Sequence, residues 1–178
     1  MTDLEERLKS DDVAAFESLF NKHQKLVYRT AYLITGDGEE ARDVMQEVFV
    51  AVWKWRHTFD SQKGKFTTWL HRITVNECYK KRKKKRVAFL SLEGEENKGY
   101  CPDDPAELPE DIMISKEEYG KLMEALSLLD TKHRSVLVLR FFNELSYDDI
   151  AQAVGVSLGT VKSRIHYALK MLREQLAV

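Results

Sequence analysis

Six side chains near the C-terminus are of types that hold and read DNA: Thr160, Lys162, Ser163, Arg164, His166 and Tyr167. Lysine and arginine neutralise phosphates, and hydroxyl and imidazole groups hydrogen-bond base edges in a groove. A solvated basic face is the plainer reading of any one of them. A second set, Arg72, Asn76, Tyr79, Lys80 and Lys83, is spaced to share one helix face. There an amide can read a base edge and a phenol ring can stack on an unpaired base. The bland alternative is that Asn76 caps or solvates a helix end.

This set runs into Lys80-Lys81-Arg82-Lys83-Lys84-Lys85-Arg86, seven adjacent cations that repel one another unless a polyanion or open solvent is near. Nuclear targeting or a solvated tail has the same charge signature. Opposite chemistry stands at Asp43, Gln46 and Glu47, which with Glu40 form an acidic stripe. It suits a basic protein surface, or it is simply a solvated face.

No arrangement for bond-making is legible. The histidines at 23, 57, 71, 133 and 166 are scattered, and no zinc-binding HExxH pair or glycine-rich phosphate loop occurs. Cys78 lies on a helix beside cations able to lower its pKa, but no positioned base is evident, and a packing or incidental role is the plainer reading. Neither enzymatic activity, a metal nor a cofactor is expected.

These residues need elements to position them. Ser146 with Asp149 matches a capping box, Gly155 suits a sharp turn, and Ser157 can cap the next helix. Across 147–166 the apolar residues Ile150, Ala151, Val154, Val156, Val161 and Ile165 fall where two steeply crossed helices touch. That spacing predicts a helix-turn-helix, with an ordinary helical hairpin as the alternative. Upstream, Asp11 and Asp12 can cap a helix carrying Val13, Phe16, Leu19 and Phe20. Ala41, Val44, Met45, Val48, Phe49 and Val52 form one helical stripe. A third helix is expected over roughly 67–86, with Trp69, Leu70 and Ile73 inward, and Tyr119 to Leu129 repeats the pattern. Another short apolar helix is expected around 132–142. Strand alternation appears nowhere, so the fold class is all-α.

Composition agrees and sets bounds. The chain has 178 residues, 43% hydrophobic and 32% charged, enough to bury a core. Its longest apolar run, Val48–Trp53, is far short of the roughly 20 residues that span a bilayer. The opening MTDLEERLKSDD is too polar for a secretory signal, and a cytoplasmic location is expected. Two cysteines, Cys78 and Cys101, make neither a disulfide framework nor a zinc site. The net charge of −1 conceals segments: residues 1–90 carry 18 basic and 13 acidic side chains, 91–113 carry one and eight, 114–178 nine and eight. The acidic segment holds Pro102, Pro105 and Pro109, the marks of a linker. The expected division is a helical domain at 1–90, a flexible acidic linker at 91–115, and a second helical domain at 116–178.

In their order along the chain these blocks resemble the bacterial RNA polymerase sigma factors of the sigma-70 family, in the small extracytoplasmic-function group. Glu40-Ala41-Arg42-Asp43-Val44-Met45-Gln46-Glu47-Val48-Phe49 resembles the block that binds the polymerase clamp. Phe66-Thr67-Thr68-Trp69-Leu70-His71-Arg72-Ile73-Thr74-Val75-Asn76 is similar to the regions that melt and read the −10 element. Gly159-Thr160-Val161-Lys162-Ser163-Arg164-Ile165-His166 is similar to the −35 recognition helix. The resemblance implies binding to core RNA polymerase and promoter DNA, an anti-sigma partner, and a linker threading along the polymerase. Asp43, Gln46 and Glu47 would then touch polymerase, the Arg72 to Lys83 set the −10 strand, and the Thr160 to Tyr167 set the −35 element. Two rivals remain at this point. One is a helix-turn-helix regulator acting without polymerase, and the other an RNA-binding or nucleolytic protein.

Overall fold

Local capping chemistry accounts for the helix starts. In the computed structural model, which describes residues 7–91 and 116–176, Asp12 accepts from the Ala15 N–H at 3.0 Å and opens α1, Val13–Thr35. Gly36 takes φ +74°, a value glycine adopts without steric cost, and its N–H closes the helix on the Tyr32 carbonyl at 2.7 Å. Asp37 then caps α2, Gly38–Trp55, through the Glu40 N–H. A 3-10 turn, Arg56–Thr58, leads through a loop to α3, Phe66–Ser91, which is longer at both ends than its apolar pattern predicts.

The second half repeats this logic. α4 spans Lys116–Ser127, and Asp130 caps α5, Thr131–Leu137. The expected single helix around 132–142 instead changes to a π-helix over Val138–Phe142. Ser146 caps α6, Tyr147–Val154, Gly155 turns the chain at φ +68°, and α7 runs over Leu158–Leu176. The described residues form no strand. Their helices include none long and apolar enough to cross a membrane.

The two helical halves that the sequence places on either side of the acidic segment share a core among the described residues. Val27, Ile34, Val44, Val48 and Leu70 join Val136, Leu137, Leu139 and Ile150 in one buried cluster. α3 lies against α6, and α1 against α5 and the π-helix. Polar bonds cross the seam. The Arg134 guanidinium donates to the Ile34 carbonyl at 3.0 Å, Arg29 to the Phe142 carbonyl at 3.2 Å, and the Asn143 amide to the Thr30 hydroxyl at 2.9 Å. Burial pushes the Arg134 pKa down to about 10, and the Arg82 charge adds to that effect. Arg134 and Arg82 meet the C-terminal carbonyls of α1, where the helix dipole favours cations. The proposed linker, apart from Ser91, lies outside the described residues, as does Cys101.

Candidate nucleic-acid and protein-docking faces

α3 carries Arg72, Asn76, Lys80 and Lys83 on its exposed side, at the spacing the sequence predicts. Tyr79 departs from them. Its hydroxyl is buried, and burial pushes the phenol pKa up, with Ser135 and Arg164 of the second half as lowering neighbours. Tyr79 nonetheless lines a cleft with Lys80 and Lys83.

Two clefts flank Asn76. The larger, about 490 Å³, is walled by the loop after α2, by Thr68, Trp69 and Arg72 of α3, and by Gln152 of α6. The smaller, about 390 Å³, lies between α2 and α3 and includes Ala51, Glu77, Lys80 and Lys83. The loop is held by Phe59, buried against Phe66 and Trp69 with ring centres 5.5 Å from each. Asp60 accepts from the Gln62 N–H at 3.0 Å, which holds its carboxyl below the usual range. The sequence pattern assigned neither this loop nor Trp55 beside it to a binding face. The available signal was Lys54-Trp55-Arg56, an aromatic ring between two cations.

The basic run is partly consumed by the fold. Lys80 pairs with Glu77 at 2.6 Å, Lys81 with Asp43 at 2.5 Å, and Lys85 with Glu40 at 2.6 Å. Arg82 donates to the Thr35 carbonyl at 2.9 Å. The hydrogen bond to Asp43 holds the Lys81 pKa above its usual value. Lys83, Lys84 and Arg86 have no ion-pair partner among the described residues. Cys78 is fully buried, in keeping with a packing role, and burial pushes its thiol up to about 12, outweighing the cation at Arg82.

The acidic stripe is likewise not a free face. Glu40 is only 9% exposed and turns toward Lys85, while Asp43, Gln46 and Glu47 stay exposed. Gln46 sits on the rim of an apolar cleft of about 610 Å³ formed by Phe16, Phe20, Phe49, Trp53 and the exposed Val13 and Val50. Three edge-to-face ring contacts, Phe16–Phe49, Phe16–Trp53 and Phe20–Phe49, shape its floor.

In the second half, the Asp149 N–H donates to Ser146 Oγ at 3.1 Å, and the Thr160 N–H to Ser157 Oγ at 3.2 Å. Ile150, Val161 and Ile165 are buried between the two helices, as a helix-turn-helix requires. Lys162, Ser163, His166 and Tyr167 are exposed on α7. Thr160 is half-buried, its hydroxyl shared with Ser157 at 2.9 Å. Arg164 is also half-buried, with its charge felt by Tyr79. The Tyr167 ring lies 4.7 Å from that of His133. The Thr68 hydroxyl donates to Asp149 Oδ1 at 3.2 Å, joining the α6 start to the α3 face.

Comparison with known proteins adds to this geometry. Residues 19–87 match the family model for Sigma-70 region 2, and residues 125–174 that for Sigma-70, region 4. The chain is 34% identical over 175 residues to the ECF RNA polymerase sigma factor SigW of Bacillus subtilis, covering 96% of this chain and 93% of the relative. It is 36% identical over 166 residues to ECF RNA polymerase sigma factor SigE of Mycolicibacterium smegmatis, covering 92% of this chain and 62% of that longer relative. Among solved structures, the sigma factor RpoE bound to the anti-sigma factor NepR from Bartonella quintana has the same fold. Its TM-score is 0.76 at 23% identity, over 93% of this chain and 99% of that one. CnrH in complex with the cytosolic domain of CnrY has a TM-score of 0.70 at 25% identity, over 98% and 95%.

Proposed function

The chain belongs to the sigma-70 family of RNA polymerase sigma factors, in its extracytoplasmic-function group, and we propose that three separate faces divide the work of this membership. It binds core RNA polymerase and directs promoter-specific initiation, so it is a specificity subunit rather than an enzyme. Family membership favours this over a helix-turn-helix regulator acting alone. In the proposed division, Asp43, Gln46 and Glu47 contact polymerase, together with the apolar cleft that Gln46 borders. Arg72, Asn76, Lys80 and Lys83, with the ring of Tyr79, hold the opened −10 strand. Thr160, Lys162, Ser163, Arg164, His166 and Tyr167 read the −35 element. The domains are assigned to 1–90 and 116–178, joined by the linker at 91–115. The protein works in the cytoplasm, and an anti-sigma protein restrains it, a reading supported by the partners of RpoE and CnrH.

The observation that carries the −10 assignment is Asn76, exposed among cations with a cleft on either side. An opened strand offers Watson–Crick edges that a duplex hides, and an amide supplies both a donor and an acceptor to them.

The shared core then demands a change of shape. Elements centred near −10 and −35 lie about 25 base pairs apart, roughly 85 Å of duplex at about 3.4 Å per pair. A helix-turn-helix packed on α3 cannot reach both. The two halves therefore separate when polymerase and promoter are engaged, releasing the Thr68–Asp149 and Arg134–Ile34 bonds. Separation also frees Arg164 for DNA.

Pull-down with core polymerase, followed by transcription from a promoter library, tests the division. Alanine at a base-reading residue of α7 should cost roughly 1–3 kcal/mol and relax one −35 position. Alanine at a phosphate contact should weaken all promoters alike and reduce the salt slope by about one. If alanine at Lys162, Ser163, Arg164 and His166 together left −35 preference intact, α7 would not be the reader.

A further inference from the structure

Trp55 ends α2 and is 51% exposed, although a large apolar side chain gains most by being buried. The corner beneath it is firmly built. Arg56 stacks on Trp53 at 4.3 Å and pairs with Asp11, and the Thr58 hydroxyl donates to the Trp55 carbonyl at 2.7 Å. The exposure is therefore set by a fixed backbone rather than a loose chain end. Lys54 Nζ stands 5.2 Å from the ring centre.

Trp55, Ile73 and Asn76 each line both clefts, and so form the ridge between them. Apart from Gln152 of α6, every residue lining either cleft belongs to the first half, so the ridge and both clefts persist when the halves separate. On the larger side Arg72 is at hand, and on the smaller side Lys80 and Lys83, all able to hold phosphates. A flat π surface on a ridge between two pockets, edged by cations, matches the chemistry of an unpaired strand.

We propose that Trp55 is a stacking wedge for single-stranded DNA, entering between two consecutive unpaired bases so that one lies in each cleft. Asn76 then hydrogen-bonds a base on the same ridge, and Trp55 fixes the spacing that brings it there. The wedge stabilises the opened state selectively, because paired bases in a duplex cannot straddle the ridge. This rests on assigning the α3 face to the −10 strand.

The test uses holoenzyme assembled from core RNA polymerase and the full chain. The probe is a fork-junction promoter whose −10 segment is single-stranded on one strand. Trp55→Ala should weaken fork binding by roughly 5- to 150-fold, the equilibrium equivalent of about 1–3 kcal/mol of stacking. Trp55→Phe should retain most of the affinity. Trp55→Leu, apolar but without a π face, should lose it as alanine does, which separates stacking from misfolding. Placing an abasic nucleotide at each −10 position in turn should cost the wild type affinity at two adjacent positions and cost Trp55→Ala nothing there. If Trp55→Ala and Trp55→Leu bind the fork as the wild type does while Asn76→Ala is defective, the wedge is wrong and the −10 face stands. If Arg72→Ala, Asn76→Ala and Lys80→Ala are all without effect, the −10 assignment fails and takes the wedge with it.

Discussion

Arg134 and Ile34, one hundred residues apart, are joined by a buried hydrogen bond of 3.0 Å from the guanidinium to the last-turn carbonyl of α1. The same guanidinium donates to the Leu129 carbonyl at 3.1 Å, so one side chain ties the start of the second half to the end of the first helix. Hydrogen bonds to charged groups contribute about 1.5–3 kcal/mol each, more than neutral ones. Arg134→Met should therefore loosen the two halves while leaving each helical. The expected result is a larger radius of gyration in solution scattering and a melting temperature lower by roughly 4–10 °C. An unchanged radius would mean that other contacts hold the seam.

Reversing charge at Asp43 and Glu47, together with Gln46→Ala, should weaken binding to core polymerase with little effect on the fold. Asp43 does lose its pair with Lys81, but exposed pairs are worth only about 0–1 kcal/mol. Val50→Asp provides an independent probe of the neighbouring cleft, since Val50 is 62% exposed and supports no core packing. Competition against the wild type for core polymerase reads both. Equal affinity in both variants would remove this face from the interface.

Asn76→Ala should slow open-complex formation more than it weakens polymerase binding. The defect should shrink on a template that is already melted, where the bases need no extraction, and discrimination at one −10 base should fall. A variant with undiminished discrimination at every −10 position would return Asn76 to a solvated helix position.

His71 is almost wholly buried, and burial pushes its pKa down from 6.5 to about 4, with His23 as a secondary cause. The unfolded chain takes up this proton near pH 6.5, whereas the folded one resists it until about pH 4. Stability is thus undiminished above the unfolded value and falls as pH drops between them, by about 1.4 kcal/mol per unit and roughly 3 kcal/mol in all. Urea denaturation at pH 7 and pH 4.5 measures the loss. His71→Leu should flatten the dependence, and an equal loss in that variant would assign it to other groups.

The sequence by itself determined what depends on neighbours a few residues away. Asp12, Asp37, Asp130 and Ser146 cap helices because an oxygen three residues before an unpaired N–H finds it in any helical start. Gly155 turns the helix-turn-helix because it adopts positive φ, and Arg72, Asn76, Lys80 and Lys83 share a face because helix geometry repeats. Only the tertiary structure decided what each face meets. Periodicity placed Glu40 with Asp43 and Glu47, but the crossing of α2 and α3 buries Glu40 against Lys85 and joins Asp43 to Lys81. It grouped Tyr79 with Asn76, but packing of the second half covers its hydroxyl. Nothing local marks Ile34 as the acceptor for Arg134, and the cations flanking Trp55 in sequence do not place it on a ridge between two clefts. Those relations arise where elements distant in sequence exclude water together, and a helix's own pattern encodes that a face is apolar or charged without encoding its partner.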